Sequence, residues 1–271
     1  MATTSKLAVI GAGKMGTTLI RALLDSKTLS ADQVVATTRH SETAKEVAGR
    51  LNIDTTQDNL AAAQSANMIL ISVKPQILAE VLTQIAPALH ERQLLVSTVA
   101  SATTQFIEKH VPAEVAVVRT MPNTPCLIRA GMTALCGGSH ATTDHLHQAE
   151  TIFRAVGRTL VLDEKYFDAV TALSASGPAY IYVVLESLAE GGVKVGLPRN
   201  IATELAAQMC LGAAQMVLQT REHPALLKDA VTTPAGCTID GLLKLEEGGL
   251  RVTLIKAVVE ATQRAGQLIH S

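Results

Sequence analysis

The chain has 271 residues, 48% of them hydrophobic, but only three Phe, three Tyr and no Trp. Ala, Val, Leu and Ile carry that apolar content, which favours packed helices and buried strands over aromatic platforms for sugars or bases. Its 23 Lys+Arg against 24 Asp+Glu leave no basic stripe for nucleic acid or anionic lipid, so the expected ligand is small and neither nucleic acid nor membrane is an expected partner.

At about 150 residues per domain the length suits two domains. The opening residues lead at once into Leu7-Ala8-Val9-Ile10, too short a run for a secretory signal. No apolar run reaches the roughly 18 residues that cross a bilayer, and a cytoplasmic protein is expected. Short apolar runs at Leu7 to Ile10, Val34 to Thr38, Met68 to Val73, Leu94 to Val99 and Val115 to Arg119 alternate with helical stretches. That rhythm predicts βαβ units around a parallel sheet covered by helices on both faces. Two later runs, Met132 to Cys136 and Thr159 to Leu162, flank a helix predicted to start near Thr142 and extend the same sheet. The α/β domain is expected to span 1–163.

Beyond Glu164 the texture changes to long Ala/Leu/Val stretches broken at Gly177-Pro178, Leu197-Pro198, Pro224 and Pro234, which predicts an all-helical domain over 164–271. Pro178 and Pro198 suit the first turns of helices. The segment Tyr180 to Leu188 is apolar over most of its circumference, as in a helix buried on nearly all sides, and a core shared by two chains would supply the cover. Cys126, Cys136, Cys210 and Cys237 are scattered without a Cys-x-x-Cys pair, so they read as reduced packing residues in a reducing compartment.

The most informative early motif is Gly11-Ala12-Gly13-Lys14-Met15-Gly16, which follows the first predicted strand and opens a helix. In a Rossmann-type dinucleotide-binding unit Gly11 makes the tight turn, Gly13 lets backbone reach a pyrophosphate and Gly16 lets helix and strand approach. The helix start adds free N–H donors and a positive dipole end. At the end of the second strand an NAD site would carry an acid, but the chain reads Thr37-Thr38-Arg39-His40-Ser41. Hydroxyls followed by a guanidinium suit a 2′-phosphate, so NADPH is the expected cofactor, with NADH weaker and Arg39 the phosphate's cation.

Two segments of the helical half are more specific: Asp168-Ala169-Val170-Thr171-Ala172-Leu173-Ser174-Ala175-Ser176-Gly177-Pro178-Ala179-Tyr180 and Thr232-Thr233-Pro234-Ala235-Gly236-Cys237-Thr238-Ile239-Asp240-Gly241-Leu242. With Val73-Lys74-Pro75 and Arg119-Thr120-Met121-Pro122-Asn123-Thr124-Pro125, they make the whole chain resemble the pyrroline-5-carboxylate reductase family. Where that family usually has Gly, this chain has Ala235, and where it often has Thr or Ala, this chain has Cys237.

The resemblance implies reduction of 1-pyrroline-5-carboxylate to L-proline by hydride from NAD(P)H, the last step of proline biosynthesis. It places the carboxylate of the substrate on backbone groups of Gly236, Cys237 and Thr238, and gives the Thr238 hydroxyl to the ring nitrogen. Glu164, Thr171 and Ser176 would border the substrate. Ile10 through Met15 would hold the pyrophosphate, Thr38 and Arg39 the adenosine phosphate and Asn59 the ribose. Val73, Lys74, Pro75, Thr98, Ala100 and Asn123 would border the nicotinamide half. The helical domain would form an interlocked dimer, assembled further into rings of dimers up to a decamer of them. Read without the resemblance, Pro234 to Thr238 is a small-residue loop entering a helix, where several N–H groups meet and Thr233 or Thr238 could serve as a plain cap. Ser176 could likewise cap the helix that Pro178 begins.

His140, His145 and His147 lie in a polar stretch without the paired ligands of a metal site, and no metal is expected. Walker-type, Gly-x-Ser-x-Gly and His-Glu-x-x-His motifs are absent. Rival readings are a reductase for another cyclic imine or a β-hydroxyacid, and a non-catalytic NADP(H)-sensing module. Against the hydroxyacid reading, the helix from Pro178 to Lys194 offers a lysine only at its far end.

Overall fold

The computed structural model describes residues 6–267. Its strands are β1 (Leu7–Ile10), β2 (Val34–Thr37), β3 (Asp54–Thr56), β4 (Met68–Ile71), β5 (Leu94–Ser97), β6 (Ala116–Met121), β7 (Gly131–Gly137) and β8 (Gly157–Val161). They form one sheet in the order β3-β2-β1-β4-β5-β6-β7-β8. Pairing is parallel from β3 through β6, as the βαβ rhythm predicts, but β7 runs antiparallel to β6, with Val118 opposite Gly137. The β6–β7 link contains only a short turn at Thr124–Ile128, too little chain for the crossover that a parallel partner needs. β8 is parallel to β7 and closes the edge.

The helices of this half are α1 (Lys14–Asp25), α2 (Ser41–Leu51), α3 (Asn59–Gln64), α4 (Leu78–Ile85), α5 (Thr104–Glu108) and α6 (Thr143–Arg154). Alternate residues of one strand feed two cores. Leu7 and Val9 pack with Leu19, Ile20 and Leu23 of α1 and Phe153 of α6. Ala8 and Ile10 pack with Ala62 and Ala63 of α3 and with Leu78, Val81, Leu82 and Ile85 of α4. Helix starts are set by short polar side chains: Asp58 accepts from Ala61 N at 3.0 Å, Thr103 from Phe106 N at 3.1 Å, and Thr142 opens α6.

Then follow α7 (Phe167–Val170), a π turn at Thr171–Ala175, α8 (Gly177–Lys194), α9 (Arg199–Thr220), α10 (Pro224–Val231), α11 (Cys237–Glu247) and α12 (Leu250–Gln267). Among the described residues, those up to Ala175, with those from Ala261 to Gln267, form one compact unit, and Ser176–Glu260 form a second. The division falls after residue 163 because Phe167 is fully buried with Met121, Ala134 and Cys136 of β6 and β7, which ties 164–175 to the sheet. Pro178 sits in the first turn of α8, but Pro198 is the residue before α9 and not inside its first turn.

In the second unit α8 and α9 meet through small residues: a Cβ on Gly192 would stand 2.9 Å from the Ala202 Cβ. Little else is covered. Ile181, Tyr182, Val183 and Leu188 of α8 and Leu205, Met209 and Met216 of α9 are exposed, so the burial expected for Tyr180 to Leu188 is not met within one chain. α9, with a mean hydropathy of 1.3 over 18 residues, is long and apolar enough to cross a membrane. This corrects the expectation that no segment reaches that length: beyond Arg199 at its start, Glu204 is the one charged side chain in α9 and leaves the mean within the range of a span.

Candidate active site

The strands β1, β2, β4 and β5 all end on one edge of the sheet, where ligands of such sheets bind. Gly11 leaves β1 at φ +91°, and a Cβ there would come within 2.7 Å of Val73 Cγ1 and 2.9 Å of the Ser72 carbonyl. No side chain could stand in that turn. Its N–H donates to Thr37 Oγ1 at 3.1 Å, and Ala12 N to the Thr37 carbonyl at 2.8 Å, which locks the turn onto β2. A Cβ on Gly16 would meet the Gly11 carbonyl at 2.7 Å, so glycine sets how closely α1 approaches β1. Gly13 precedes α1 with open space before it and no side-chain cap, and the first turn of α1 holds no acid. The free N–H groups and helix dipole thus face an opening a phosphate can enter. Met15 packs against the core, and Lys14 lines a different cleft.

Beside this turn lies a cleft of about 290 Å³. Ile10, Gly11, Thr38, Arg39, Asn59 and Val73 line it, all of them expected from sequence, together with Gln57, Glu80 and Gln84, which sequence reasoning missed. The missed residues are held by hydrogen bonds: Asn59 Nδ2 donates to Gln84 Oε1 at 2.9 Å and Gln84 Nε2 to the Glu80 carboxylate at 3.1 Å, while Gln57 Nε2 donates separately to the Arg39 carbonyl at 2.9 Å. Thr38 spends its N–H on Thr56 O and its hydroxyl on His40 O. It therefore shapes the loop, and the donors left for a 2′-phosphate are the exposed Arg39 guanidinium and the start of α2, which has no side-chain cap. An open glycine turn, a free helix start and a guanidinium in place of an acid are the features an NADP-type dinucleotide requires.

Lys74 and Pro75 follow β4, and Thr98 and Ala100 follow β5, on the same edge but outside the 290 Å³ cleft. The Thr98 hydroxyl donates to the Ile71 carbonyl at 3.1 Å. Asn123, after β6, is fully engaged: its Nδ2 donates to the Ser174 carbonyl at 3.2 Å and its Oδ1 accepts from Met132 N at 2.9 Å. It pins the π turn that contains Thr171, whose own hydroxyl donates to Phe167 O at 2.8 Å.

Glu164 is no solvated carboxylate. Its Oε1 accepts from Thr104 N at 2.8 Å and from Arg119 Nη1 at 3.0 Å, and its Oε2 accepts from the Thr104 hydroxyl at 2.7 Å. Arg119 is 2% exposed, lies 4.6 Å over the Phe167 ring, and its Nε has no partner among the described residues. Sequence reasoning missed Arg119 because arginine is rarely buried. Opposite it on β7, burial pushes the Cys136 thiol up to about 12, and the Glu164 charge adds to the rise.

In the helical unit, Gly236 is the residue before α11, and no side chain caps that helix. The caps considered for Thr233 and Thr238 are therefore not formed. A Cβ on Gly236 would strike Thr233 Oγ1 at 2.5 Å, and Ala235 is left-handed at φ +57°, where the family's usual glycine would be at ease. The N–H groups of Cys237 and Thr238 thus open an uncapped helix beside an exposed thiol and a hydroxyl. Ser176 stands before α8 in helical geometry and makes no cap, against expectation, since capping needs extended backbone at that position. Lys194 ends α8. Of the histidines, His145 completes a capping box with Thr142 and His147 sits 3.2 Å from Glu150. No group of three metal-ligating side chains occurs among the described residues.

A glycine-turned parallel sheet with a cationic cofactor edge, followed by apolar helices, defines an NADP-dependent oxidoreductase with a helical second domain. Residues 6–101 match the family model described as NADP oxidoreductase coenzyme F420-dependent, and residues 164–268 match that for pyrroline-5-carboxylate reductase dimerisation. A pyrroline-5-carboxylate reductase from Synechocystis sp. is 39% identical over 263 residues, covering 97% of this chain and 98% of its own. The structure of a pyrroline-5-carboxylate reductase from Coxiella burnetii has a TM-score of 0.92 at 34% identity, over 98% of this chain and 99% of that one. The Plasmodium falciparum pyrroline carboxylate reductase, solved with NADP bound, has a TM-score of 0.87 at 29% identity, over 98% of each chain. The chain belongs to the pyrroline-5-carboxylate reductase family.

Proposed function

We propose that this protein reduces 1-pyrroline-5-carboxylate to L-proline with NADPH. The observation that carries the reading is the likeness over nearly the full length of both chains, with the glycine turn and the uncapped start of α11 intact. Bound NADPH supplies the hydride that the imine carbon accepts. The turn from Ile10 to Met15 holds the pyrophosphate through the free N–H groups at the start of α1, Arg39 holds the 2′-phosphate and Asn59 the ribose, while Val73, Lys74, Pro75, Thr98, Ala100 and Asn123 border the nicotinamide half. The free N–H groups of Cys237 and Thr238 grip the substrate carboxylate beside Gly236, whose own N–H donates to the Thr233 carbonyl at 3.0 Å, and the Thr238 hydroxyl positions the ring nitrogen. A threonine hydroxyl is a poor acid at neutral pH, so the nitrogen takes its proton from solvent. Glu164, Thr171 and Ser176 are the further candidates for contact with the substrate. Four free thiols support a reducing, cytoplasmic setting, and the match to a dimerisation domain supports a dimer as the working unit; assembly of dimers into rings is the further step that the resemblance implies.

The direct test mixes protein, NADPH and 1-pyrroline-5-carboxylate and follows absorbance loss together with proline formation. Absence of proline would overturn the activity. Thr238→Ala is expected to lower kcat/KM by about tenfold to a hundredfold, the worth of one positioned hydrogen bond in a transition state, with the NADPH dissociation constant unchanged. An unaltered kcat/KM would remove Thr238 from the site.

A further inference from the structure

A second cleft in the sheet unit, about 460 Å³ in volume, shares no residue with the one beside Gly11. Lys14 and Arg21 enter it from α1, Arg50 from the end of α2 and Arg129 from the β6–β7 link. Lys14, Thr17, Thr18, Arg21 and Asp25 form a stripe at the helical spacing of three or four residues, so the sequence of α1 alone brings one face to this opening. Asp25 is the one carboxylate in the lining, and Arg129 occupies it at 2.6 Å. Arg21 makes only a 3.5 Å contact to the Arg50 carbonyl, and neither arginine pairs with a carboxylate among the described residues.

The lining therefore carries four cations against one acid, in a chain whose net charge is -1. Like charges converging from three elements repel one another unless an anion joins them. Cys126, Leu127 and Ile128 make the opposite wall, and Leu127 and Ile128 are 61% and 78% exposed. Guanidiniums fit phosphate oxygens in pairs, and an apolar wall fits a base or another flat organic group.

We propose that this cleft is a second anion site, separate from the cofactor cleft, that takes an oligophosphate, either carried on a nucleoside or free. The inference does not depend on which imine or acid the enzyme reduces. Its test titrates ATP, pyrophosphate and adenosine into the NADP+-saturated protein by calorimetry, so that the cofactor cleft is filled. ATP is expected to bind once per chain and adenosine not at all. Arg21→Glu and Arg50→Glu are each expected to weaken ATP by about tenfold or more, the worth of a charge-assisted hydrogen bond, while the NADP+ dissociation constant stays within about twofold, which also reports that the variants fold. Raising the salt should weaken binding in step. ATP tighter than pyrophosphate by about tenfold assigns a nucleoside ligand, and equal affinities assign free oligophosphate. No saturable binding to the NADP+-loaded protein, or variants that bind ATP as the parent does, would overturn the proposal.

Discussion

Arg39 leaves β2 exposed and without a carboxylate partner among the described residues, beside a helix start that no side chain caps. Since Thr38 has spent both donors inside its own loop, discrimination for a 2′-phosphate rests on this one guanidinium. Arg39→Asp is therefore expected to raise KM for NADPH by about tenfold or more, the loss of a charge-assisted contact, and to change KM for NADH little. Steady-state kinetics with both cofactors decide it, and equal effects would move the 2′-phosphate elsewhere. Ala235 makes a second argument at this scale. A side chain in the left-handed region costs about 1–2 kcal/mol, part of which Ala235→Gly returns to unfolded-chain entropy. The glycine variant should gain about 1 kcal/mol, visible as a higher Tm. A lower Tm would mean that the loop tolerates φ +57° without strain.

Among elements, the carboxylate of Glu164 joins the start of α5, the middle of β6 and the chain leaving β8. Removing one partner of a buried pair costs about 3–5 kcal/mol. Glu164 keeps 28% exposure, so Glu164→Gln, which leaves Arg119 charged beneath it, is set at about 2 kcal/mol of stability. Thermal or denaturant unfolding checks this, and a loss within about 0.5 kcal/mol would class the pair with ordinary surface bridges. The same cluster shows what could be read beforehand. The strands β1, β2, β4 and β5 were legible because buried parallel strands are apolar on both faces. β3 was not, because Asp54–Thr56 is a polar, partly exposed edge without periodicity. In the site, the glycine turn and the absent acid after β2 were legible as local motifs. The Asn59–Gln84–Glu80 chain was not, since it joins residues from separate helices. The burial of Arg119 rests on a long-range ion pair with Glu164, and the inclusion of residues 164–175 in the sheet unit rests on the long-range packing of Phe167, neither of which leaves a local trace in a sequence.

For the whole molecule, the low aromatic and high aliphatic content of the chain has a location. α9 buries only Ala202 and Ala206, while Leu205, Met209 and Met216 stand 50–56% exposed on the same helix. A face of that kind needs a cover: either a bilayer, which its mean hydropathy of 1.3 would allow, or a second chain. The dimerisation model that matches 164–268 contains all of α9 and favours the chain. The protein is expected to sediment without detergent as a dimer of 28.5 kDa chains at micromolar concentration. Met209→Glu, which sets a carboxylate in the middle of that face, should shift the mass towards one chain, because an unpaired charge costs several kcal/mol once desolvated at an interface. Activity should fall with the dimer fraction, since Thr238 belongs to the same helical unit. A monomeric parent protein, or a dimer that survives Met209→Glu with full activity, would show that the aliphatic surplus serves something other than self-association.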